Sequence, residues 1–311
     1  MSKTISTLQK SLFFLFLLSG NFAFSQITPL NTIDVNAIYI PDSKYKQADG
    51  AVQNTRKTQQ RINLGYTFLI SQKLDTATKK MSRWTGMINA GYTKMSSKTD
   101  EKDLMPNRLL NSEFGISYYR SMKGKWGMLS ILSAGINSDL EKVDVHDLFV
   151  NGGVFFVKTK SPQFSWGFGV FVSNALNSPL IMPGIIMQWQ TEDKLKFYIN
   201  PPFEVSAAYD MSKKVELKLA FRPRNLNYDI ENLNEPKRRS LTYWELPLGL
   251  ETKLKGKHFD LMLGGGYMFL RSFQLKENGL KNAFKSAPNN SLGGNVFFNA
   301  GIRYKLQLPK K

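Results

Sequence analysis

The stretch Phe298-Asn299-Ala300-Gly301-Ile302-Arg303-Tyr304-Lys305-Leu306-Gln307-Leu308 alternates apolar and polar residues without a break. Successive residues of an extended chain point to opposite faces, so this stretch predicts a strand with one greasy face and one polar face. The same period-two rhythm returns repeatedly from about Arg61 onward. Phe164, Trp166, Phe168, Val170 and Val172 alternate with Ser165, Gly167, Gly169 and Ser173. Val215, Leu217, Leu219 and Phe221 alternate with Glu216, Lys218, Ala220 and Arg222. Repeated amphipathic strands with no packed partner predict a closed transmembrane barrel, antiparallel and up-and-down, with lipid outside and a polar lumen. A soluble β-sandwich also alternates, but it has no place for this many Phe, Tyr and Trp on regularly repeated faces.

The N-terminus reads as an export signal. Lys3 and Lys10 precede the apolar run Leu12-Phe13-Phe14-Leu15-Phe16-Leu17-Leu18, and Ala23-Phe24-Ser25 supplies small residues for cleavage before Gln26. The run is too short to span a bilayer as a helix. The expected organisation is a signal peptide over 1–25, an N-terminal segment over 26–58 with a possible first strand at Asp34 to Ile40, and a barrel over 59–308. No later run suits a transmembrane helix, so any span must use strands. With no cysteine in the chain, disulfides, thiolate chemistry and lipoprotein attachment are all excluded. The net charge of +18 points to lipid phosphates, lipopolysaccharide or anionic small solutes as partners, and export argues against nucleic acid.

Strand number depends on Asn200-Pro201-Pro202. Read as a three-residue hairpin pairing Ile199 with Phe203, it gives fourteen strands; read as a kink in one long strand, with the N-terminal strand also dropped, it gives twelve. Loop lengths favour fourteen, because the short turns at Lys123-Gly124-Lys125, Pro162, Thr191-Glu192-Asp193, Ser212-Lys213 and Lys255-Gly256-Lys257 then share one end. The longer stretches 96–109, 139–146, 231–239 and 273–290 share the other, the outer end of such barrels. Trp84, Trp126, Trp166 and Trp244 lie near strand ends, as interfacial girdles require. Trp244, Leu246, Leu248, Leu250 and Leu254 read as a lipid face, and Phe203 shares the parity of Ile199 and Val205. Residues 148–157 are apolar on both faces and leave their phase open.

Parity places Arg61, Asn63, Asn89, Glu113, Tyr119, Lys196, Tyr198, Glu204, Glu216, Lys218, Arg222, Glu245, Glu251, Lys253, Arg303 and Lys305 in the lumen. They suit either a hydrated path favouring anions or a salt-bridge network that fills the interior. His146, in Val143-Asp144-Val145-His146-Asp147, is the one candidate for rim hydrolase chemistry. It has no nucleophile motif and no second ligand at metal spacing, so a solvated loop histidine is the better reading. His258 reads as a polar turn residue. Asp100, Glu101 and Asp103 lack the glycine turn of a calcium loop. No catalytic, metal or cofactor-binding residue is expected.

The export junction Phe24-Ser25-Gln26, the Trp- and Gly-rich alternating strands and the final strand Phe297 to Leu308 resemble Gram-negative outer-membrane barrels classed as domains of unknown function. The resemblance implies location in the outer membrane and delivery by the barrel-assembly machinery, and it supplies no catalytic motif. The chain ends Leu308-Pro309-Lys310-Lys311, where many such barrels end on an aromatic residue. A narrow channel or small-solute transporter is the leading expectation, and a filled structural or adhesive barrel is the alternative.

Overall fold

The computed structural model describes residues 30–47, 52–78, 80–97, 105–173, 180–201, 203–230, 239–277 and 289–306. The signal peptide, Asp100, Glu101, Asp103 and the last residues from Gln307 lie outside them. Fourteen antiparallel strands close into one barrel. They are β1 (Thr32–Lys46), β2 (Val52–Asp75), β3 (Lys80–Ser97), β4 (Arg108–Ser121), β5 (Trp126–Ser138), β6 (Leu148–Ser161) and β7 (Phe164–Ser173). There follow β8 (Leu180–Gln190), β9 (Leu195–Asn200), β10 (Glu204–Asp210) and β11 (Val215–Phe221, resuming as Arg224–Ile230). The last three are β12 (Arg239–Lys255), β13 (Phe259–Glu277) and β14 (Asn290–Leu292, resuming as Asn295–Lys305). Each strand pairs with its sequence neighbours, and β1 closes the ring on β14, with Thr32 opposite Lys305 and Tyr39 opposite Phe298.

The hairpin at 201–203 makes the count fourteen, because β9 and β10 pair as separate strands. Its register differs from the expected one. Asn200 faces Glu204 and Ile199 faces Val205, so the loop lies one residue later. The Phe203 amide donates to the Asn200 carbonyl at 2.8 Å. Phe203 therefore turns inward into an apolar cluster instead of joining the outer face. The wall also starts earlier than residue 59, since β1 and the first turns of β2 belong to it. At the other end β14 is described to Lys305, and Leu308, the expected end of the barrel, lies outside the described residues.

The connections sort into two ends. Turns at 76–78, 122–125, 162–163, 191–194, 211–214 and 256–258 lie at one, together with the start of β1 and the end of β14, where the Leu306 amide donates to the Asn31 carbonyl at 2.7 Å. The strand ends that border 47–51, 98–107, 139–147, 174–179, 201–203, 231–238 and 278–289 gather at the other. These are called the short-turn and long-connection ends.

The outer surface carries the apolar parity of nearly every strand. Leu64, Phe114, Leu132, Phe168, Ile185, Leu219, Leu263 and Phe298 are all exposed. Along β8, Ile181 to Trp189 runs about 27 Å at ~3.4 Å per residue. At a tilt of roughly 40° this gives an apolar band about 21 Å tall, close to that of membrane barrels. Near the short-turn end the aromatics pair on this surface: Trp84 with Tyr118, Trp126 with Trp166, Trp189 with Phe197, and Phe259 with Tyr304. In β6 the open phase resolves with Phe149, Asn151, Gly153 and Phe155 facing inward. The Phe155 ring lies over Gly169 and Gly184, where an added Cβ would approach it to 2.5 and 2.6 Å.

Candidate functional site

The lumen divides into two unlike halves. In the short-turn half, cross-strand ion pairs run along the inward faces of β9 to β14 and β1. Lys196 pairs with Asp210 at 2.7 Å and with Glu216 at 3.2 Å. Lys255 pairs with the same two acids, and Lys253 lies 3.6 Å from Glu216. Lys218 reaches Glu204, and Arg222 bridges Glu204 and Glu251, with two parallel bonds to the latter. Arg303 pairs with Asp34 and Lys305 with Asp260. These groups share faces because opposite residues of an antiparallel pair sit side by side: Glu216 faces Lys253 and Lys218 faces Glu251 across the ladder. Most of the lysine and arginine side chains here keep a fifth to a third of their surface in contact with solvent, so this wall is wet. Tyr198, fully buried at the same level, accepts a hydrogen bond from Asn200 Nδ2 at 3.0 Å.

The long-connection half is dry. Above Phe221, β11 breaks at 222–223 and resumes as Arg224–Ile230, still paired with β12. It no longer follows β10, which has ended. Instead Asp229 meets Ser138 of β5 in a parallel bridge, across a gap that skips β6 to β10. The hairpin formed by β11 and β12 thus leans over the lumen, and both of its faces are covered. Asn225, Leu226, Asn227 and Tyr228 are all buried, as are Leu241, Thr242, Tyr243, Trp244 and Glu245. This corrects the expectation for Trp244, which lies inside and belongs to no interfacial girdle.

Beneath that hairpin lies one charged knot. Arg61 of β2 makes two parallel bonds to Glu245 of β12, each 2.8 Å, and its Nε donates to Thr93 Oγ1 at 2.9 Å. Gln59 Nε2 donates to Glu245 at 2.8 Å. Tyr243 OH donates to Gln59 Oε1, which also accepts from Arg271. Arg271 additionally donates to Ser43 Oγ at 2.8 Å and is 0% exposed. Arg61 and Glu245 stand on strands four apart in the ring, so the pair joins strands that share no ladder. Bidentate geometry and filled donor sites are what allow such charges to leave water. Toward the long-connection end, Tyr45, Met95, Met105, Leu109, Leu226, Tyr228, Leu241, Tyr243, Phe273 and Leu292 pack into one apolar cluster. A second cluster of Ile131, Phe155, Phe171, Ile186 and Phe203 fills the part under β6 to β10.

Of the residues expected in the lumen, Arg61, Lys196, Glu204, Glu216, Lys218, Arg222, Glu245, Glu251, Lys253, Arg303 and Lys305 stand in these networks. Asp34, Asp210, Lys255 and Asp260 were not expected there, and alternation had no signal for the knot. Arg61 and Glu245 are 184 positions apart in sequence, and only closure of the ring brings them together. Gln59, Ser43 and Arg271 were not among the residues expected in the lumen, although Arg271 lies directly opposite Glu245 on the neighbouring strand. Glu113 stands apart from both networks, on β4, hydrogen-bonded by neutral neighbours only.

His146 sits in a short 3-10 turn (Val145–Asp147) at the long-connection end, with its Nδ1 2.9 Å from Asp144 Oδ1. Asp144 and Asp147 cap that turn reciprocally. Burial pushes the Asp147 carboxyl up against the hydrogen bond it accepts from Asp144. This is a folded, capped loop whose acids are occupied in holding the turn. His258 lies in the 256–258 turn, where its carbonyl accepts from the Lys305 amide.

Among solved structures, the COG4313 outer membrane channel from Pseudomonas putida F1 aligns with a TM-score of 0.41 and 10% identity, over 92% of this chain and 99% of that one. The Pseudomonas putida toluene transporter TodX aligns at 0.32 and 9%, over 88% of each chain. The beta domain of the Bordetella autotransporter BrkA aligns at 0.30 and 10%, over 89% of this chain and 100% of that one. Likenesses of this size fix neither substrate nor mechanism. No curated protein matches the chain. The family model described as a domain of unknown function, DUF6268, matches residues 21–305, and the chain belongs to that family.

Proposed function

We propose that this protein is an outer-membrane channel for small polar solutes, held shut by the inward hairpin of β11 and β12. The outward apolar band with its aromatic pairs supports insertion in a bilayer, and the long connections would then face the cell exterior, against lipopolysaccharide. The observation that carries the channel reading is the contrast along the lumen. A wet, ion-lined chamber opens toward the short-turn end and stops at a layer contributed largely by one hairpin. A barrel built only as a wall has no need of a hydrated chamber below its seal. Because the ladder holds cations and carboxylates in near balance, with one cation in excess, it suits zwitterionic or mildly anionic solutes. No covalent chemistry is assigned to it.

Planar-bilayer recording of refolded, heat-modifiable protein tests this reading. Wild type should be closed with rare openings. Glu245→Gln, which loosens the Arg61 bond while keeping the shape, should raise open probability at least tenfold, with weak anion preference in a KCl gradient. Continued silence from folded Glu245→Gln protein would favour the alternative, a sealed structural or adhesive barrel.

A further inference from the structure

Among the described residues, the other lumen glutamates are answered by cations: buried Glu204, Glu216 and Glu245 and half-buried Glu251 each stand in an ion pair. Glu113 does not. It is 5% exposed, and its hydrogen-bond partners are Asn89, Ser133 and Asn151, all neutral. A carboxylate this far from water needs a compensating charge or a proton.

Its surroundings are rich in oxygen. Asn151, 2% exposed, places Nδ2 3.4 Å from Glu113 Oε1 and 3.5 Å from Ser133 Oγ, both at the long limit of a hydrogen bond. Its Oδ1 is buried with no partner. One row away, the carboxamide oxygens of Asn111 and Asn63 converge over Gly91, where a Cβ would sit only 2.4 and 3.0 Å from them. The two ends of a carboxamide are alike in shape, so the Asn151 amide can turn over in place, giving up its two long bonds to Glu113 and Ser133. Turned, it sets an oxygen 3.4 Å from Glu113 Oε1. Two oxygens bound about 2.4 Å from one hard cation, at about a right angle, have that separation.

We infer that Glu113, Asn151 and Ser133, backed by Asn89, form a binding site for a small monovalent cation of the sodium class on the lumen wall. A single carboxylate sets the charge: a monovalent ion is neutralised, whereas a divalent ion would leave a buried positive charge. The site is independent of the channel reading, and its test does not use conduction.

Thermal unfolding of the full refolded barrel in detergent, followed by loss of the heat-modifiable form, is measured in sodium chloride and in choline chloride at equal ionic strength. Sodium should raise the wild-type midpoint by several degrees. Glu113→Gln should abolish that response while matching or exceeding wild type in choline. Asn151→Asp adds a second carboxylate and should transfer the response to calcium, which keeps the site testable even where Glu113→Gln fails to fold. Equal wild-type midpoints in the two salts would overturn the inference, as would a sodium response that survives in Glu113→Gln or an Asn151→Asp protein indifferent to calcium. A wild type stabilised by acid alone would assign Glu113 a proton and exclude the cation.

Discussion

The two halves of the lumen use the same kinds of residues to opposite ends. At the short-turn end, Lys196, Lys218, Arg222 and their acids sit on regular strands, side by side and partly in water. At the long-connection end, Arg61, Glu245 and Arg271 tie together strands that share no ladder and are almost wholly out of water. The first arrangement is a lining and the second is a seal. Partly hydrated pairs contribute little to stability, and their value is in setting the field a solute meets. Buried pairs are costly to assemble and more costly to break.

The sharpest way to break this comparison is Glu245→Ala. It strands Arg61 and Gln59 in a dry layer and should cost about 3–5 kcal/mol, read as a lower urea midpoint in detergent. Replacing Arg61 and Glu245 together by Met and Leu should recover part of that loss, because the Arg61 charge leaves with its partner while buried Arg271 remains. Next in size is Gly184→Ala, since a methyl group would press on the Phe155 ring. Overpacking of that kind costs about 1–3 kcal/mol, and Phe155→Leu should restore the midpoint. The smallest effect belongs to the wet ladder. Lys196→Ala leaves Asp210 and Glu216 with Lys255 still in reach, so the change should stay below about 1 kcal/mol and shrink further in high salt. A loss at Lys196 as large as that at Glu245 would erase the distinction between lining and seal.

The same boundary separates what alternation can read from what it cannot. Strict period two in β7, β10, the first part of β11 and β14 depends on one face being greasy and the other polar, and there the strands and their faces were legible. The turn residues around 123–125 and 255–257 also marked hairpins directly. Over Asn225-Leu226-Asn227-Tyr228 and Leu241 to Glu245 both faces are covered, so parity carries no meaning and Trp244 was given a lipid face it does not have. Phe203 was misplaced by a hairpin register that parity cannot distinguish from its neighbour. Several members of the candidate site were legible as inward residues, but the knot was not, because Arg61 and Glu245 meet only through closure of the ring.

The lack of native cysteine makes one measurement direct: the reaction of Lys218→Cys and Thr93→Cys with a small water-soluble thiol reagent in the folded, membrane-inserted barrel. Lys218 lies on the wet wall, and Thr93, 1% exposed, lies in the layer held by Arg61. A wet chamber below a dry seal requires rapid labelling at 218 and at least a hundredfold slower labelling at 93, with the difference lost when Glu245→Gln is added. Equal rates at the two positions in the otherwise wild-type barrel would contradict the seal.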